Sequence, residues 1–142
     1  MTKIALASDH AGFNYKEKVK EHLKSAGYTV KDFGTYDPSA CDYPDFVRPA
    51  AESVANGENS AGIVFGGSGN GEAIVANKVK GIRCGVCWNE TSARLTKEHN
   101  NANMISIGER LVEESELYLI VDAWLNATFE GGRHQLRINK IE

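Results

Sequence analysis

The sequence predicts an α/β fold, a three-layer αβα sandwich on a five-stranded, mostly parallel sheet. Short β-rich apolar runs recur along the chain, and longer segments with apolar residues at helical spacing separate them. The loops after several of these runs concentrate glycine and polar residues. Strict alternation of strand and helix gives an open parallel sheet covered on both sides.

The first run, Lys3–Ser8, is almost continuously apolar, as expected of a strand buried on both faces. A helix is expected near Asn14–Ser25, with Asn14 as its cap and Glu17 at the capping-box spacing. Tyr15, Val19, Leu23 and Ala26 form its apolar stripe, His22 lies half-packed beside the stripe, and Gly27 stops the helix. Thr29–Asp32 is the second strand. A helix near Asp45–Asn56 then leads to the third strand, Ala61–Gly66. A short helix, Gly71–Asn77, precedes the fourth strand, Ile82–Val86, and a helix near Glu90–Glu98 precedes the fifth, Met104–Ile107. Glu114–Ala127 carries Leu117, Ile120, Val121, Trp124 and Leu125 on a face fit to cover a sheet. Gly131-Gly132 interrupts it, and Arg133–Ile141 reads as a terminal helix.

With 142 residues, 42% of them hydrophobic and 25% charged, residues 1–142 are expected to form a single domain that needs no staple. A net charge of −3 argues against a nucleic-acid partner, so any bound anion needs a local cluster of positive groups. Met1-Thr2-Lys3-Ile4-Ala5-Leu6 enters a strand directly, without a charged leader and a long apolar run. No apolar stretch approaches the roughly 20 residues that span a bilayer. Three cysteines fit poorly with a disulfide framework. A cytoplasmic protein without membrane contact is the expectation.

In open parallel sheets ligands sit at the carboxyl ends of the strands. Ser8-Asp9-His10-Ala11-Gly12 follows the first strand, Gly66–Glu72 the third and Gly108-Glu109-Arg110 the fifth. Glu98-His99-Asn100-Asn101, just before the fifth strand, is grouped with them at the same edge. Four glycines in Gly66–Gly71 would let backbone N–H groups approach an anion, with a helix N-terminus behind them. The alternative is a plain tight turn. The run lacks both the G-x-G-x-x-G spacing and the Gly-Lys-Ser/Thr ending, so it suits a developing oxyanion better than a pyrophosphate. Glu72 at a helix start is commonplace, but beside a glycine nest it is placed as a base for enolisation. His99 is either a solvated residue at a helix end or a catalytic one, and Asp9-His10 either a capped turn or part of the site. Arg133 and Arg137, four apart, share a helix face and are either solvated or a phosphate clamp. Cys84-Gly85-Val86-Cys87 is neither redox motif nor zinc site: the two thiols of a strand at odd spacing point to opposite faces, and no second pair exists.

Taken together, Ser8-Asp9-His10-Ala11-Gly12, Asp42-Tyr43-Pro44, Gly67-Ser68-Gly69-Asn70-Gly71, Ala76-Asn77-Lys78, Gly81-Ile82-Arg83, His99-Asn100-Asn101-Ala102-Asn103 and Gly131-Gly132-Arg133-His134-Gln135 resemble the type B ribose-5-phosphate isomerases. That family also contains galactose-6-phosphate isomerase subunits. The resemblance spans essentially the whole chain and implies a Rossmann-like fold and a homodimer with shared active sites, with the pairing of dimers into a tetramer left open. It further implies a sugar-phosphate substrate and no metal or organic cofactor. By resemblance Asp9, His10, Gly67, Ser68, Gly69, Asn70, Gly71, Asn100 and Arg110 bind substrate. Arg133 and Arg137 reach the phosphate from the neighbouring subunit, and His99 opens the furanose ring. Tyr43 borders the site, and no role is assigned to His134. Many members carry a cysteine base where this chain has Gly66. The Gly-Gly-Ser-Gly-Asn-Gly-Glu pattern of a subgroup passes that task to Glu72. The expected reaction interconverts ribose 5-phosphate and ribulose 5-phosphate. An isomerase of a six-carbon sugar phosphate and a non-catalytic phosphate-binding module are the alternatives.

Overall fold

The computed structural model describes residues 2–142. Among them β1 (Lys3–Ser8), β2 (Thr29–Asp32), β3 (Ala61–Gly66), β4 (Cys84–Val86) and β5 (Met104–Gly108) form one sheet in the order β2-β1-β3-β5-β4. Every pairing is parallel, so the sheet is wholly rather than mostly parallel. The helices are α1 (Phe13–Ser25), α2 (Pro44–Ala55), α3 (Asn70–Asn77), α4 (Glu90–Asn100), α5 (Glu114–Asn126) and α6 (Arg133–Ile138).

The alternation of side chains along each strand sorts the core into two layers. Ile4, Leu6, Ile63, Phe65, Ile105 and Ile107 face α1 and α5, where Val19, Leu23, Leu117, Ile120 and Trp124 meet them. Ala5, Ala7, Val64 and Met104 face α2 and α3, against Val47, Ala50, Val54 and Ala76. The buried cysteines divide the same way, Cys87 in the first layer and Cys84 in the second. Burial pushes the Cys87 thiol up to about 12, and Cys84 is likewise raised.

Trp124 is fully buried, and its indole N–H donates to the Ala102 carbonyl at 3.1 Å. Trp124→Ala is expected to cost about 3–5 kcal/mol, since it opens a cavity and orphans that carbonyl. Urea unfolding followed by far-UV circular dichroism would measure the cost.

Several boundaries differ from the sequence reading. Asn14 is an exposed residue inside α1 and caps nothing. The upstream Asp9 carboxylate instead accepts from Ala11 N–H at 2.9 Å and Gly12 N–H at 3.1 Å, closing a 3₁₀ turn over His10–Gly12 that leads into the helix. Ala26 is exposed at the end of α1, and the fourth buried position of that helix is Lys16. Its ammonium lies 2.7 Å from Asp32 at the end of β2. Burial would raise the Asp32 pKa, but hydrogen bonds from Lys16, the Gly34 N–H and Lys20 outweigh it and hold the carboxyl below its ordinary value. The terminal helix stops at Ile138.

Candidate active site

The strand order reverses between β1 and β3, because the connection from β1 goes outward to β2 while the later strands lie on the far side of β3. A crevice opens at such a switch point, at the carboxyl ends of the two strands. Asp9 follows β1 there, and Gly66 ends β3. The two strand ends are held close by Gly12, where a Cβ would lie 2.4 Å from the Phe65 carbonyl carbon.

Glu72 occupies the first turn of α3 and is only 4% exposed. Its carboxylate fills the space beside Gly66, where a Cβ would meet Oε1 at 1.4 Å. Burial raises the Glu72 pKa, with its own backbone N–H opposing and the nearby Asp9 carboxylate adding to the rise. The group is thus a carboxyl moved toward neutral pH, the shift a general base needs.

The glycine loop is clamped from the end of β5. Glu109 N–H donates to Gly66 O at 2.8 Å, and Arg110 N–H to Gly67 O at 3.0 Å. Ser106 Oγ donates to Gly69 O at 2.6 Å, with Gly69 in the left-handed region at φ 84°. The Arg110 guanidinium lies over Gly67, 3.0 Å from where a Cβ would stand, and the Tyr43 ring covers Gly71 in the same manner. Ser68 Oγ accepts from Asn70 N–H at 3.2 Å. His10 is exposed, and its Nδ1 accepts from Cys41 N–H at 3.3 Å. Asp9, His10, Tyr43, Gly67–Glu72 and Arg110 therefore gather on one edge of the sheet.

His99 and Asn100 do not join them. Helix α4 runs back from the end of β4 to the start of β5, so its last turn lies at the amino edge, where Met104 pairs with Gly62 and Cys84. The five residues of β5 put about 16 Å between the two edges. Grouping His99 with Glu72 on the same edge of one chain was an error of direction: a helix between parallel strands reverses course. Arg83 fixes the end of α4, donating through Nε to Asn100 O at 2.8 Å and through Nη2 to Asn101 O at 3.0 Å.

Helix α6 packs on α4 and completes this second cluster. The rings of His99 and His134 stack with centroids 4.3 Å apart and planes 13° from parallel. Arg133 and Arg137 are exposed, and with Leu136 and Lys140 they line a depression of about 290 Å³. Three cations around one hollow suit an anion. Two features are not legible in the sequence: that Gly66, named there for its place in the glycine run, leaves room for the Glu72 carboxylate, and that Glu130 lies against His99 and His134. The i, i+4 spacing of Glu130 and His134 was visible, but their meeting with His99 is tertiary.

The profile of the Ribose/Galactose Isomerase family matches residues 4–141. Ribose-5-phosphate isomerase B of Escherichia coli K12 is 44% identical over 141 residues, covering 99% of this chain and 95% of its own. The solved structure of Clostridium thermocellum ribose-5-phosphate isomerase B superposes with a TM-score of 0.97 at 49% identity, covering 99% of this chain and 95% of that one. The Mycoplasma genitalium ribose-5-phosphate isomerase B solved with bound ribulose 5-phosphate gives a TM-score of 0.94 at 43% identity, covering 99% and 93%.

Proposed function

The chain belongs to the ribose/galactose isomerase family, and from that premise we propose that it interconverts D-ribose 5-phosphate and D-ribulose 5-phosphate, the isomerisation of the non-oxidative pentose phosphate pathway, with Glu72 as the base. The observation that carries this reading is the buried Glu72 carboxylate, of raised pKa, beside the glycine loop at the β1/β3 crevice.

In this reading Glu72 removes the proton on C2 of the open aldose and delivers it to C1, while the hydroxyl proton passes from O2 to O1 so that the aldehyde becomes an alcohol and C2 a ketone. The cis-enediolate oxygen that forms between the two transfers faces the amides of Gly67–Gly71. Such donors stabilise the transition state because they are oriented before charge develops. Asp9 and Asn70 position the sugar hydroxyls, and His10 and Arg110 take part of the phosphate charge.

The second cluster enters through a second copy of the chain. One chain cannot bring His99, Asn100, Arg133 and Arg137 to Glu72 across the sheet, but a two-fold pair can present the amino-edge cluster of each copy to the carboxyl-edge cluster of the other. Helix α6 then carries the phosphate clamp, and His99 moves a proton between the anomeric hydroxyl and the ring oxygen. The exposed Ile74, Trp88 and Leu136 supply apolar surface for such a contact. Cavities of about 550 and 690 Å³ beside β4 supply unfilled relief.

The direct test is ketose formation from ribose 5-phosphate by the purified chain. Absence of turnover would sink the assignment. The shared site has its own test. Chains carrying Glu72→Gln and chains carrying Arg137→Ala, unfolded and refolded together, are expected to regain roughly a quarter of wild-type activity, because half the pairs are mixed and each mixed pair holds one intact site. The assay is run at substrate levels below the KM of the Arg137→Ala protein. No recovery would mean that each site is built from a single chain.

A further inference from the structure

Glu130 has no part in the isomerisation described above, yet two imidazoles converge on it. His134 Nε2 lies 3.3 Å from Glu130 Oε1, and His99 Nε2 lies 3.9 Å from the same oxygen. One ligand atom from each of the three residues lies within 4.8 Å of the others. The His134 side chain is 11% exposed, and the 3.3 Å contact is off the line of a hydrogen bond. Its Nε2 is one of three buried side-chain polar atoms among the described residues that have no hydrogen-bond partner.

We propose that His99, Glu130 and His134 form a binding site for one transition-metal ion of the zinc class, and that occupancy withdraws His99 from the reaction. Two imidazole nitrogens and one carboxylate oxygen, with a fourth position left to solvent, are a ligand set that zinc accepts in tetrahedral form. Ligand bonds of about 2.0–2.1 Å place tetrahedral donors about 3.3 Å apart. The Glu130–His134 pair already has that separation. Closing the third donor brings His99 Nε2 in from 3.9 Å of Glu130 Oε1 and tilts its ring out of the stack on His134, a movement open to His99 and Glu130 because their side chains are 38% and 50% exposed. His134 is the fixed member, and the ion would give its nitrogen the partner it lacks. The backbone frame is set as well: Glu130 N–H donates to Glu98 O at 2.9 Å, tying the segment before α6 to the last turn of α4.

An ion on His99 occupies the lone pair that would accept the anomeric proton, so zinc is expected to inhibit turnover of the cyclic aldose phosphate. This inhibitory half rests on the role given to His99 above; the binding half does not. The test is calorimetric titration of zinc chloride into the reduced, chelator-treated full chain, with cobalt(II) absorption as a second measure of coordination. One ion per chain is expected. Glu130→Gln and His134→Asn are each expected to weaken binding at least about tenfold, with unchanged circular dichroism. Absence of binding at micromolar zinc overturns the site. Undiminished binding in both variants also overturns it, by moving the ion elsewhere, for instance to Cys41 and His10. Binding lost in the variants together with inhibition that a chelator reverses supports both halves. Binding lost in the variants without any inhibition of the wild-type chain supports the metal site and instead removes His99 from ring opening.

Discussion

Glu72→Gln is expected to lower kcat for ribose 5-phosphate by about 10²–10⁴-fold, the range contributed by a positioned acid–base group, with KM little changed. The amide keeps the shape of the side chain and cannot accept the C2 proton. Phosphate anchoring is remote from that atom, so ground-state binding survives, and a loss confined to kcat marks an interaction made only in the transition state. The pH profile supplies an independent reading. Glu72 must be ionised to act, and burial followed by Asp9 raises its pKa above the ordinary glutamate value of 4.5. The rate is therefore expected to rise with pH along an acid limb displaced above 4.5 and to reach its plateau only when that carboxyl has ionised. Glu72→Gln should abolish the limb in whatever activity remains. Activity near wild type in that variant would move the base to another residue.

Gly66→Ala is expected to come close to the same loss, although alanine carries no chemistry. The added methyl would lie 1.4 Å from Glu72 Oε1, 2.2 Å from Cδ and 2.4 Å from Oε2, so the carboxylate must leave its seat. Gly66 does not have a positive φ, and alanine is therefore tolerated by the backbone. The prediction is a folded protein with kcat reduced by about 10²-fold or more, measured beside circular dichroism. The double variant Gly66→Ala, Glu72→Gln should be no slower than Glu72→Gln alone, because both changes remove the same group. A further multiplicative loss would show that Gly66 acts through something other than the seat of the carboxylate. The same geometry accounts for the departure seen in the sequence: a side chain at position 66 and a carboxylate reaching back from position 72 exclude one another.

The parts of the site that were legible in the sequence are those set by local rules. Glycines at 66, 67, 69 and 71 between an apolar strand and a helix admit few other uses, and the carboxyl-edge rule then brought Asp9, Glu72 and Arg110 together. The paired cysteines on opposite faces followed from strand periodicity alone. What was not legible depends on direction and tertiary contact. His99 stands at the end of a helix that runs against the strands, so closeness in sequence to β5 placed it at the wrong edge. Nothing in the spacing of α1 marks Lys16 as buried, because its partner Asp32 is brought to it only by the pairing of β1 with β2. Asn14 and Glu17 matched a cap in spacing, but Asp9 had already satisfied the amides of the turn before them.

The two sealed thiols carry a last consequence. In the role proposed for it, the Glu72 carboxylate cannot be consumed by peroxide, unlike the cysteine base that the family resemblance implies for members with a thiol at the position of Gly66. Cys84 and Cys87 are shut away in opposite layers and held as thiols, so their sulfurs are shielded as well. The proposed isomerisation should therefore lose no base to oxidation, and the half-buried Cys41, whose backbone N–H bonds His10, is the thiol at which oxidative stress would reach the site.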